Sequence, residues 1–347
     1  MRHKLDGLRY GRALAILGFI FVPLWFAWAQ SLEQTAQLID SLQELPVGLG
    51  ILPKLEIPTD NPQSPQKVAL GKRLFFNKDL SGDHSMSCAS CHDPAKGFSD
   101  GKTRALGFRG KELRFHTPTV LNSAYDSYQF WDGRALSLEQ QAAGPITSGV
   151  EMNMPDETEL VSRLNANPRY RQEFQSVFAQ GPSLKSVVRA IAAYERTLTT
   201  PNSRFDRYAA GDKSALALHE KNGLVIFIAK ARCARCHDGA NFTDNKFQNT
   251  GIGDDEGRFA VTKQESDRGA FKTPGLRNVA LRAPYMHDGS LSTLEAVIDY
   301  YDRGGDDKKG KSPFVLKIGL TREEKKDLLA FLKTLNGSVA AAAPPPH

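Results

Sequence analysis

Cysteine is scarce here: 347 residues contain four, all inside two five-residue stretches, so none is left for a disulfide framework. Excess charge is scarce too, since 45 Lys and Arg face 39 Asp and Glu, a formal +6. Arg2, Lys4, Arg9, Arg12 and Asp6 account for half of that. The remaining +3 or so could steer a small acidic partner but gives no case for nucleic acid. Strand-like alternation is rare throughout, which leaves a mainly α-helical chain with long loops. The apolar run from Ala13 to Phe26 contains Pro23 and, at about 14 to 17 residues, is short for a membrane span. Basic residues precede it and Ala27-Trp28-Ala29 follows, the pattern of a secretory signal over residues 1–29. An uncleaved anchor is the alternative, and either way the folded part is expected outside the cytoplasm.

What is present begins with Cys88-Ala89-Ser90-Cys91-His92 and its repeat, Cys233-Ala234-Arg235-Cys236-His237. Two thiols three positions apart can add across two vinyl groups of a porphyrin, and the adjacent imidazole can take the iron. Two copies that use every cysteine point to two covalently attached haems. The alternative is a zinc site of thiolates and imidazoles, which would usually bring the pairs closer together and would not need a His after each.

The length suits two domains, each with its own core and one haem. Residues 30–63, with Pro53, Pro58 and Pro62, read as an N-terminal strap. A helix starts at Ser64 with Pro65 in its first position and Val68, Leu70, Leu74 and Phe75 on its apolar side. Trp131-Asp132-Gly133-Arg134 is expected to open a helix that stops before Gly144-Pro145. Two amphipathic helices follow, over about 155–165 and from Ser183 to about Leu198. Thr199-Thr200-Pro201-Asn202 breaks the pattern, which puts a first domain at 64–200 and a second at 201–337. In the second, a helix over about 214–229 carries Gly223. The last helix opens on a capping box, Thr321 with Glu324. Gly223 would let those two helices cross closely. Residues 338–347 read as a disordered tail.

From Leu70 to Asn336 the chain resembles the bacterial di-haem cytochrome c peroxidase family, which includes the MauG-type enzymes that oxidise a protein substrate. The resemblance rests on Leu70 to Phe76, both CxxCH motifs, Thr117 to Asn122, Phe130 to Arg134, Gly144-Pro145 and Val150-Glu151-Met152. Gly257-Arg258-Phe259, Leu276-Arg277-Asn278 and Ala283-Pro284-Tyr285 extend it. It implies two cytochrome c-like haem domains, with hydrogen peroxide reacting at the His92 haem. Glu151 and Gln141 would handle peroxide there, Glu151 moving a proton between its oxygens, and Pro145 would stiffen the pocket wall. Trp131 would lie between the haems and relay electrons. The resemblance further implies a periplasmic protein fed by a small cytochrome c or copper protein, or acting on a protein substrate if MauG-type. A homodimer stays open.

Departures from the family pattern matter as much. Where many relatives close the reactive haem with a loop histidine, this chain has Phe108, which cannot ligate iron. The resemblance therefore implies a five-coordinate or water-bound first haem, and weakens the third reading, a plain di-haem electron carrier. For the second haem the aligned residue is Tyr301 where typical peroxidases have methionine; Met286 is its rival and His287 a third candidate. Ca²⁺ between the domains is in doubt, because the usual Asn is His116 and a usual Thr is Arg282, leaving only the carbonyl near Pro284 unchanged.

Overall fold

The computed structural model describes residues 33–339; the expected signal segment and residues 340–347 of the tail lie outside the described residues. Helices and loops dominate, as expected. The two strands, Phe247–Gln248 and Phe271–Lys272, are two-residue pieces paired antiparallel.

Apolar side chains collect in two clusters, one drawn from 70–198 and one built mainly from 205–335. In the first, the Pro65–Phe75 helix crosses the Leu184–Glu195 helix. Ser64 caps the former by accepting from Lys67 N–H at 3.2 Å. Pro65 sits where its missing N–H leaves no bond unmade. The crossing is close because residue 71 is glycine: a Cβ there would stand 1.8 Å from the Ala190 carbonyl oxygen. The second core repeats the device with the Leu218–Ile228 and Arg322–Thr334 helices. A Cβ on Gly223 would stand 2.0 Å from the Asp327 carbonyl oxygen. Thr321 and Glu324 form the expected box, Thr321 N–H donating to Glu324 Oε2 at 2.7 Å and Glu324 N–H to Thr321 Oγ1 at 3.2 Å.

Several local expectations are corrected. The chain turns through 131–134 without becoming helical, and the helix runs Leu138–Thr147 from a Ser137 cap. It continues through Gly144-Pro145 because Pro145 lies in its last turn, where one missing bond is tolerated and Ser148 N–H still reaches Gly144 O at 3.0 Å. Between Glu157–Ala166 and Leu184–Glu195 lies an unforeseen helix, Pro168–Phe178, started by an Asn167 cap and Pro168. The helix expected over 214–229 is split, since Leu216 is extended between Lys213–Ala215 and Leu218–Ile228.

The strap is also more than an extended segment. Residues 33–41 are helical, and Asp40 accepts from the Tyr208 hydroxyl at 2.8 Å and pairs with Lys221 at 2.6 Å. Asn61 Nδ2 then donates to Glu139 Oε1 at 2.6 Å and Gln63 Nε2 to Ala193 O at 2.7 Å. The segment therefore fastens to the second core at one end and to the first at the other.

Candidate active site: two cavities and the residues between them

Both motifs fold into a single turn that brings the histidine N–H back onto the carbonyl of the first cysteine. Ser87 N–H donates to Ser90 Oγ at 2.9 Å at the head of the Cys88–Cys91 turn, and His92 N–H reaches Cys88 O at 2.9 Å. His237 N–H reaches Cys233 O at 2.9 Å in the same way. Each ring is then aimed by a buried phenylalanine in the left-handed region, Phe98 (φ 57°) and Phe242 (φ 56°). His92 Nδ1 donates to Phe98 O at 3.1 Å, and His237 Nδ1 to Phe242 O at 3.0 Å. These bonds hold the hydrogen on Nδ1 and leave the Nε2 lone pair free for iron. Burial lowers both imidazole pKa values, so the rings are neutral.

None of the four cysteines forms a disulfide. Burial raises Cys91 and Cys236 to about 11 and Cys233 to about 12, and pushes Cys88 higher still. The zinc alternative needs a cluster of ligands, and among the described residues no group of three or more His, Cys, Asp and Glu gathers to hold a metal ion. Paired thiols beside a neutral, oriented imidazole fit haem attachment; at the second motif both thiols and the imidazole line one cavity, and at the first the imidazole alone does.

Two cavities stand over these motifs. The larger, about 220 Å³, is lined by Cys233, Cys236 and His237 together with Tyr301, Met286 and His287. The smaller, about 60 Å³, is lined by His92, Gln141, Phe130 and Glu195. Trp131 lines both. Its indole N–H donates to His116 O at 2.9 Å, and its own carbonyl accepts from Lys272 N–H at 2.8 Å.

On the His92 side, Gln141 lines the cavity from the Leu138–Thr147 helix, whereas Pro145 and Glu151 are not among its lining residues. Pro145 O accepts from Met152 N–H at 3.0 Å and Ser148 O from Glu151 N–H at 3.1 Å, so one helix end holds all three residues. Burial raises the Glu151 carboxyl pKa; the Arg134 charge and a Ser148 hydrogen bond only partly oppose this. Glu151 is close enough to Cys91 for its negative charge to add to the burial that raises that thiol. Phe108 N–H binds Val150 O at 3.1 Å, which sets the Phe108 loop beside Glu151. Among the described residues lining this cavity, His92 is the only histidine and there is no methionine.

On the His237 side, burial first and the Cys236 and Cys233 sulfurs next raise the Tyr301 phenol above its usual range. The neighbouring Tyr300 hydroxyl donates to Thr250 O at 2.9 Å. No hydrogen bond from the Tyr301 hydroxyl is found among the described residues. Met286 shares the wall, on a backbone with φ 72°. His287 is instead stacked on Phe271, ring centres 3.5 Å apart, and burial lowers its pKa.

At the doubtful calcium position, His116 Nδ1 donates to Lys102 O at 2.7 Å. Arg282 donates to the Gly275 carbonyl and lines both cavities. Sequence reasoning missed the role Arg282 could play there, and it missed Glu195 altogether. Glu195 is 3% exposed, with its pKa pushed up to about 8 by burial. In the sequence it looks like the polar end of an amphipathic helix, and only the packing reveals it.

This fold and site define a chain of two cytochrome c-like haem domains. A family model described as di-haem cytochrome c peroxidase matches residues 65–214 and one described as cytochrome c matches residues 221–336. The chain is 45% identical over 294 residues to methylamine utilization protein MauG of Methylorubrum extorquens, covering 83% of each. It is 39% identical over 326 residues to cytochrome-c peroxidase IdrP1 of Pseudomonas sp. (strain SCT), covering 84% of this chain and 86% of the relative. A solved MauG-like protein associated with microbial copper homeostasis superposes with a TM-score of 0.80 at 34% identity, covering 85% of this chain and 96% of that one. The chain belongs to the di-haem cytochrome c peroxidase and MauG family; it is an oxidoreductase of that type, and its cofactor is haem c.

Proposed function

We propose that this chain is a periplasmic di-haem peroxidase, with one haem per domain and the domain boundary near residue 200. It would reduce hydrogen peroxide at the His92 cavity with electrons that enter at the His237 side and cross through Trp131. The observation that carries this reading is the unequal lining of the two cavities: among the described residues, no second histidine and no methionine lines the wall beside His92, while both Tyr301 and Met286 line the one beside His237. A haem held by Cys88, Cys91 and His92 would supply the redox centre at which peroxide reacts. Glu151 would take a proton from the near peroxide oxygen and return it to the far one. Gln141 would orient the substrate from the cavity wall, and Pro145 would hold the turn that carries Glu151. A small cytochrome c or copper protein would refill the second haem.

A second reading is favoured by Tyr301, which lines the larger cavity and whose hydroxyl makes no hydrogen bond among the described residues. A phenolate there would lower the potential of the second haem and suit a MauG-type oxidase acting on a protein substrate. Haem-loaded protein mixed with hydrogen peroxide and reduced cytochrome c separates the two, because the peroxidase reading requires sustained oxidation of the donor. A Tyr301→Phe variant is expected to change the ferric spectrum of one haem only. Peroxide that leaves the spectrum of the isolated ferric protein untouched would sink both readings in favour of an electron carrier.

A further inference from the structure

Three cations line the smaller cavity, and two of them are matched with carboxylates. Lys272 pairs with Asp126 at 2.7 Å, and Arg277 with Asp206 at 2.8 Å. Arg282 is the third, and no carboxylate lies within ion-pair distance of it among the described residues. Asp126 contributes to its surroundings, but Lys272 and Asn241 Nδ2 (3.1 Å) occupy one oxygen each. Arg282 donates to the Gly275 carbonyl, and its Nε is buried with no hydrogen-bond partner among the described residues. It lines the cavity beside His92 and the cavity beside His237. A guanidinium stays charged at any ordinary pH, so one held this deep needs an anion.

We propose that Arg282 is the cation shared by the two haem sites, its charge balanced by carboxylate groups that the bound haems bring into both cavities. This rests on the two-haem reading above. A porphyrin of this kind carries two propionates, and a fork of five N–H donors suits carboxylates from two directions. The guanidinium then does what a metal ion between the sites would do: it draws both groups toward one point and favours the reduced state of each. No added cation is required.

The test is a spectroelectrochemical titration of haem-loaded wild type, Arg282→Gln and Arg282→Lys. Loss of the charge is expected to lower the equilibrium constant for reduction of each haem about tenfold, the scale of one charge at roughly 10 Å in a partly buried setting. Lys should restore most of it. A Gln variant that keeps its haems and leaves either midpoint unmoved overturns the shared role. Wild type alone provides a second check. A chelator should leave both midpoints unchanged, and a drop in both that Ca²⁺ reverses would give the role to a metal ion. Haem content is read separately; fewer than two haems per wild-type chain would defeat the underlying reading itself.

Discussion

Trp131 is held through its side chain by one half of the molecule and through its backbone by the other. Its indole N–H donates to the His116 carbonyl at 2.9 Å, its backbone carbonyl accepts from the Lys272 N–H at 2.8 Å, and the residue lines both cavities. Trp131→Phe keeps an aromatic ring but loses that hydrogen bond and the readily oxidised π system. Steady-state oxidation of reduced cytochrome c by peroxide is expected to fall about tenfold or more, a barrier rise of roughly 1.4 kcal/mol or above. The spectral change on mixing peroxide with the ferric protein should survive. Unchanged turnover would remove Trp131 from the electron path.

Glu151 makes a prediction about pH. Burial is the leading influence on its carboxyl and raises its pKa above the ordinary value of about 4.3. A proton acceptor must be ionised, so the rate of reaction with peroxide should rise with pH through that raised pKa. Glu151→Gln should lose this limb and fall about a hundredfold or more in kcat/KM for peroxide. Stopped-flow mixing from pH 4 to 8 reads both, and a Gln variant with a wild-type profile would dismiss Glu151 as the base.

How much of this was legible beforehand depends on the range of the interaction. The haem motifs, the Ser64 and Ser183 caps, the Thr321–Glu324 box and the Gly223 crossing could be read because each is local or needs one residue type at one place. The Pro168–Phe178 helix was equally local, and its Asn167-Pro168 start was a signal passed over. Arg282 and Glu195 are different. An arginine is unusual only once the carboxylates around it are seen to be taken, and a helix-end glutamate only once its neighbours exclude water. Gly71 lies between: it sits in its helix much as Gly223 does, yet only the 1.8 Å approach of Ala190 O shows that the two crossings are built alike.

Those crossings can be tested by adding one methyl group. Gly223→Ala would place a Cβ 2.0 Å from a backbone oxygen and 2.7 Å from Phe331 Cβ. Neither is a flexible side-chain end, so the helices must part. The helix propensity gained by alanine, about 1 kcal/mol, should be outweighed, for a net loss of about 1–3 kcal/mol. Gly181→Ala, at a site with nothing within 4 Å of the new Cβ, is the control. Thermal unfolding of both haem-loaded variants would show it, and equal midpoints would mean that Gly223 is not needed for the approach.

Glu195 links stability to pH in the opposite sense from a salt-bridged acid. It is buried, its Oε2 has no hydrogen-bond partner among the described residues, and burial raises its pKa to about 8 despite the charge of Arg196. Unfolded, the same carboxyl titrates near 4.3. Between those values the native state holds the extra proton, so the group's stabilising contribution is complete below the unfolded value and disappears as pH rises through about 8. Glutamine keeps the shape and cannot ionise. Glu195→Gln should therefore lie within about 1 kcal/mol of wild type at pH 5 and exceed it by about 2–5 kcal/mol at pH 9. Urea unfolding of the haem-loaded proteins at pH 5, 7 and 9 should show the two curves diverging upward in pH. Curves that stay parallel would mean that Glu195 is already ionised in the folded chain, with Arg196 as its effective partner.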